Sequence, residues 1–347
     1  MKHHETRLER DSAEIQDSVA RMAQGVREAI DEAVHGLLAR DHSRMYRVML
    51  DDHPYNRMMR ANDRACHAFV ARHLPAAGHL RWVSSVLRLN IGLERIGDYA
   101  VTICRVGVQL ESDLPPAIQD DIRALADQAS RMLELATRAF LKRDADLAKQ
   151  TAKLAKTVDL AHDRVFAKLV AHASQFPLMD VIRLQTIYDK LERVSDQAKN
   201  LCEEAVFVTT GETKQPKVYK VLFLERAHNN WGHLAEHMAR KAFPGSGAYD
   251  SAGWAPASTL APSLLPQAEQ LGLELGDAQP QSVDDLFHPL ADYHVIVCLG
   301  DSEGCPEIPF YTSLLKWTLP EDTQQATREL SAHIADLMQL MRGDDAP

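Results

Sequence analysis

The sequence predicts a multi-domain chain: an all-α duplicated three-helix bundle, then an α/β domain with a central parallel sheet. Three observations lead there. Residues 1–212 are poor in glycine and carry apolar residues in helical steps. A motif from within them, LERIGDYAVTIC at 93–104, returns as LERVSDQAKNLC at 191–202. After residue 212, strand-like runs alternate with helical ones, and the joints are rich in Gly, Pro, Ser and Ala.

In the first half, AEIQDSVARMAQGVREAIDEAVHGLL sets Ile15, Val19, Met22, Val26, Ile30, Val34 and Leu37 on one helix face. Similar stripes run through DDIRALADQASRMLELATRAFL and LAKQTAKLAKTVDLAHDRVFAKLVAHA. Breakers are sparse: His53-Pro54, the LPAAGH turn at 74–79, the Asp113-Leu-Pro-Pro116 stretch and Gln175-Phe-Pro177. About six long helices follow, in two sets of three, with repeats near 6–112 and 113–212. Residues 213–217 read as a linker, 218–343 as the α/β domain and 344–347 as a tail. In the α/β half, VYKVLFL and YHVIVCLG read as buried strands, and FPGSGAYDSAGWAPASTLAPS as loop.

Bulk properties narrow the partners. Of 347 residues, 45% are apolar and 25% charged, which is ordinary for a globular protein of two or three domains. A net charge of −10 argues against nucleic acid or an anionic membrane as the main partner, because phosphate backbones demand clustered Lys and Arg. No apolar run is long enough for an integral membrane segment, and MKHHETRLERDSAEIQ has no signal-peptide core, so a cytoplasmic location is expected. Five cysteines suit reduced thiols better than a disulfide framework. Cys66, Cys104 and Cys202 fall on helices and read as buried.

The repeated motif carries Glu-x-x-x-Asp. That spacing puts Glu94 with Asp98, and Glu192 with Asp196, on one helix face, where like charges repel unless a cation sits between them. In the second copy Asn200 and Glu203 extend the edge, an oxygen-rich set of the kind that helix bundles use for metals. In the first copy Thr102 and Arg105 stand at the matching places. The plainer reading is a solvated acidic face, with Arg95 and Arg193 as ion-pair partners.

The duplicated unit with LERIGDYA and LERVSDQAKN, the upstream LPAAGHLRWVSSVLRLNIGLERIGD and the closing VFVTTGE resemble the PhoU family of phosphate-signalling proteins, over about residues 6–212. The resemblance implies restraint of high-affinity phosphate import, through contacts with the phosphate transporter ATPase and a sensor histidine kinase, and self-association as a homodimer. It also implies iron, zinc or another divalent metal at Glu94, Asp98, Glu192, Asp196 and Asn200, with Thr102 standing where that family has Asn.

In the second half, VLFLERAHNNWGHLAEHMAR (221–240) reads as strand, short loop and helix, an arrangement that cradles anions on free N–H groups and the positive helix end. It resembles the low-molecular-weight protein tyrosine phosphatases and the thioredoxin-coupled arsenate reductases, whose loop carries Cys, five residues, Arg and Ser. Here the loop is Glu225, Arg226, Ala227, His228, Asn229, Asn230, Trp231 and Gly232, so Glu225 stands at the nucleophile's place and Trp231 at the oxyanion-binding arginine's. SAGW at 251–254, YHVIVCLGDSEGCPEIP and LLKWTLPED continue the likeness. Cys298 and Cys305 take the places of the reductases' later redox cysteines. Glu321 takes that of the phosphatases' general acid, with Asp322 where Pro should follow.

The change at Glu225 is chemically severe. A carboxylate does no thiolate chemistry, and a like charge at 4 Å costs an anion about 4 kcal/mol at an effective dielectric near 20. Glu225 is instead expected to take the loop N–H groups itself, as a built-in anion. His233-Leu-Ala-Glu236-His237 also matches a zinc-peptidase pattern, and with His228 three imidazoles could hold a structural zinc, but the resemblance explains Glu236, and these three histidines are expected to face solvent. The expected function is therefore phosphate-uptake regulation with an inactive phosphatase-like adaptor domain. The alternative is a divergent phosphatase or arsenate reductase, with Glu321 as acid and Cys298 or Cys305 as nucleophile, regulated by the helical domain.

Overall fold

A computed structural model describes residues 2–213, 218–300, 303–309 and 312–343. Residues 214–217 of the linker expected at 213–217, and the tail at 344–347, lie outside them. The chain divides into two compact units, Met1–Lys214 and Gln215–Pro347.

The first unit is all helical. α1 (Lys2–Leu38) buries the stripe of Ile15, Val19, Met22, Val26, Ile30 and Leu37. α2 (His42–Leu50) starts at Asp41, whose side chain accepts from Arg44 N. α3 (Asp52–His73) and α4 (Ala77–Gly107) complete the first repeat. The second runs α5 (Pro116–Lys142), α6 (Ala145–Ala152), α7 (Ala155–Ala171) and α8 (Leu178–Thr210). The middle helix of each set is thus broken, which turns the six expected helices into eight. The first break falls at Asp51 rather than at Pro54, because Pro54 sits in the first turn of α3, where its missing N–H costs no helical bond. The second falls at Lys153–Leu154, with no Gly or Pro to mark it.

The eight helices share one apolar core. The two motif helices, α4 and α8, pack on each other. At Gly92 a Cβ would lie 3.3 Å from Leu201 Cδ1 and 3.4 Å from Gln197 Oε1, so the small residue sets the approach.

The second unit alternates strand and helix: β1 (Tyr219–Glu225), α9 (Trp231–Ala242), β2 (Gly247–Ala252), α10 (Leu264–Gln270), β3 (Val295–Leu299), β4 (Ser313–Trp317) and α11 (Thr323–Arg342). The four strands are parallel in the order β2-β1-β3-β4. Side chains of β1 alternate between two cores: Val221 and Phe223 with Leu234 of α9 and Leu330 of α11, Leu222 and Leu224 with Ile296 and Cys298. The order reverses about β1, and sheets of this kind hold their sites at the carboxyl end of the strands beside such a switch point. β1 ends there in Glu225, in register with Leu299. Residues 247–252, read as loop from their small side chains, form β2 instead, because an edge strand can hydrogen-bond to a buried neighbour without an apolar pattern of its own.

Candidate functional site

The loop between β1 and α9 closes on its own first residue. Glu225 Oε2 accepts from the backbone N–H of Asn229 (3.1 Å), Asn230 (3.1 Å) and Gly232 (3.2 Å), while Oε1 accepts from Trp231 N (3.2 Å). These include free donors of the first turn of α9, so the carboxylate also meets the positive helix end. It occupies the position that an oxyanion takes in loops of this shape. Gly232 has little room for a side chain: a Cβ would lie 3.1 Å from His228 Cδ2 and 3.5 Å from Glu225 Oε2.

The loop is held from outside as well. Arg226 O, Ala227 O and Asn229 O accept from the N–H of Ala255 (2.9 Å), Ala257 (2.8 Å) and Ala261 (2.9 Å). Gly253 lets that segment approach, since a Cβ there would stand 2.7 Å from Glu225 O and 2.8 Å from Arg226 O. Trp231 is half-buried against the α9-side core, and Arg226 is exposed.

The histidines do not face solvent as expected; His228 and His233 are buried and stacked, with ring centroids 4.0 Å apart. His228 adopts φ 45°. Its Nδ1 accepts from Gln281 N (2.8 Å), which leaves Nε2–H to donate to Ser251 Oγ (2.8 Å). Ser251 donates in turn to Glu236 Oε2, and Glu236 Oε1 takes Arg240 Nη2 at 2.6 Å. Burial, with His233 close by, pushes His228 down to about 3; burial, with His237 close by, pushes His233 down to about 4. Both rings are therefore neutral at neutral pH. This chain from His228 to Arg240 joins three segments, and its connections were not legible in the sequence.

Cys298, at the end of β3, has its Sγ 3.1 Å from that of Cys305, and burial pushes its thiol up to about 12. Burial likewise pushes Cys66, Cys104 and Cys202 up to about 12. Glu321 is exposed on the turn before α11, whose first turn is capped by Asp322 through Gln325 N.

The acidic stripes belong to the helical unit, on α4 and α8. In the second, Arg193 reaches both carboxylates, Asp196 Oδ2 at 3.2 Å and Glu192 Oε2 at 3.6 Å. Burial and then Asp196 hold the Glu192 carboxyl above its ordinary range. Glu203 is half-buried and Asn200 exposed. In the first stripe Glu94 is half-buried, Asp98 exposed, and Thr102 turns its hydroxyl to Asp98 O at 2.9 Å. Among the described residues no three His, Cys, Asp or Glu side chains converge as a metal site. The Arg193 guanidinium thus lies beside both carboxylates of this stripe.

Comparison with known proteins separates the two units. The PhoU domain model matches residues 19–106 and 122–205. The phosphate-specific transport system accessory protein PhoU homolog of Pseudomonas aeruginosa is 31% identical over 210 residues, 60% of this chain and 86% of that protein. The crystal structure of PhoU from Pseudomonas aeruginosa superposes with a TM-score of 0.56 at 30% identity, covering 59% of this chain and 99% of that one. The thioredoxin-dependent arsenate reductase of Corynebacterium glutamicum matches with a TM-score of 0.32 at 20% identity, covering 52% of this chain and 96% of that one. At that score the α/β fold of the second unit stands on its own parallel sheet. By the duplicated helical unit and these matches, the chain belongs to the PhoU family.

Proposed function

We infer that this chain regulates phosphate uptake and phosphate signalling, and that its second unit is a non-catalytic adaptor. Family membership supports the first part, since its relatives are named as accessory proteins of phosphate-specific transport. The partners of this reading are the phosphate transporter ATPase and a sensor histidine kinase, met at the cytoplasmic face of the membrane. No helix among the described residues is long and apolar enough to cross a membrane.

The second part is carried by one observation: a carboxylate stands at the head of the loop and holds four of its N–H groups. A phosphate or arsenate would meet a like charge there, with four of the loop's N–H groups already taken. The rival reading, a divergent arsenate reductase, draws support from the two thiols 3.1 Å apart, but it supplies no nucleophile at the loop.

The cellular test is phosphate uptake at high external phosphate. Cells without the chain should import phosphate unrestrained, and the full chain should restore restraint and co-purify with the transporter ATPase. Restraint that requires arsenate- or ester-cleaving activity in the purified chain would overturn the adaptor assignment.

A further inference from the structure

Among the described residues no strand pairs with the outer edge of β2, and the fold builds a groove along it. About 510 Å³ in volume, the groove has Gly247–Ser251 as its floor. Glu236, Arg240 and Pro244 form one wall, and Leu286, Phe287 and His288 the other. β2 is the last strand of the sheet on this side.

The chain itself shows that this edge accepts a partner, and in which sense. Just past β2, Gly253 forms a parallel bridge with Ser282: Gly253 N donates to Gln281 O and Val283 N to Gly253 O, both at 2.9 Å. Both backbone groups of a residue in a parallel strand point the same way, and alternate residues point alike. Ser251, Tyr249 and Gly247 therefore present their N–H and C=O groups outward, as Gly253 does. Tyr249 O is capped by the Arg240 side chain at 2.9 Å, a cation in place of a strand. Pairing along this edge thus begins at 281–283 and covers only its carboxyl end.

The walls specify what fits. Asp250 and Leu222 occupy paired positions in register, so Asp250 lies on the same sheet face as Tyr293, whose hydroxyl donates to it at 2.8 Å. Phe287 is 93% exposed. Across the groove Glu236 already holds Arg240. The uncompensated charge is acidic, and the apolar anchor is aromatic.

We propose that the β2 edge of the second unit binds an extended peptide as an added parallel strand. That peptide carries a basic residue toward Asp250 and, two residues away on the same face, an apolar one against Phe287. Strand addition of this kind takes affinity from main-chain bonds and selectivity from alternate side chains. The inference rests on the adaptor reading for its purpose, while its test reads strand addition alone; turnover assays read the adaptor claim separately.

The probe is a short synthetic peptide repeating Lys-Ser-Val-Ser, titrated against the full chain and followed by backbone hydrogen exchange. The expected result is saturable binding with slowed exchange at Tyr249 and Ser251. A Glu-Ser-Val-Ser peptide should bind at least about tenfold more weakly, and F287S should weaken the lysine peptide by about tenfold. F287S cannot act by unfolding, because the ring is solvent-exposed. Absent binding, equal binding of the glutamate peptide, or binding with unchanged exchange at 247–251 would each overturn the proposal.

Discussion

The Glu225 carboxylate lies 3.2 Å from the backbone nitrogen of Gly232, so the first residue of the loop fills the anion position that the loop encloses. Removing it leaves four N–H groups without that acceptor. Glu225→Ala is therefore expected to destabilise the second unit by about 1–3 kcal/mol. Added sulfate or phosphate should recover part of the loss by taking the vacated place. Thermal unfolding with and without these anions checks it; wild type should show no such anion dependence.

The stacked histidines predict acid sensitivity. Folded values of about 3 and about 4 lie below the ordinary 6.5, so the unfolded chain binds more protons between those limits. Stability of the second unit is complete above pH 6.5 and falls as pH drops toward 4, by an amount on the order of a few kcal/mol. Urea unfolding across this range, followed by Trp fluorescence, should show that slope, and His233→Phe should flatten it.

The Cys298–Cys305 pair predicts a selective disulfide. Their sulfurs are 3.1 Å apart, whereas Cys66, Cys104 and Cys202 are buried in helices. A mild oxidant should remove two titratable thiols, counted after denaturation, without forming dimers. Because burial holds Cys298 protonated, the reaction should start at the half-buried Cys305. Cys298→Ser should abolish the intramolecular bond.

Arg193 between Glu192 and Asp196 predicts that the helical unit needs no metal to fold. Prolonged treatment with a chelator should leave its helicity and thermal midpoint unchanged. A large drop in either would mean that a bound ion, and not Arg193, offsets the stripe's charge.

Much of this was legible in the chain because it rests on pattern. The period of α1, the repeated Glu-x-x-x-Asp helices and the buried VLFL and VIVC runs are all direct consequences of burial. The role of Glu225 was legible too, since a carboxylate at the head of a strand–loop–helix has a definite electrostatic meaning. What escaped depends on tertiary neighbours. β2 has no apolar period because, as an edge strand, it is held by backbone pairing to the buried β1. The break at Lys153–Leu154 carries no breaker residue. The burial of His228 comes from Gln281 and Ser251, far away in sequence. Pro54 misled by position alone, since its effect depends on which turn it occupies.

The most direct measurement is arsenate and phosphate-ester turnover, coupled to thioredoxin, by the wild-type chain beside the double variant Glu225→Cys/Trp231→Arg. If Glu225 is a built-in ligand on an otherwise sound scaffold, the wild type turns over neither substrate, and the folded double variant gains activity. Wild-type turnover that disappears in Glu321→Gln or Cys298→Ser would contradict this and make the second unit an enzyme.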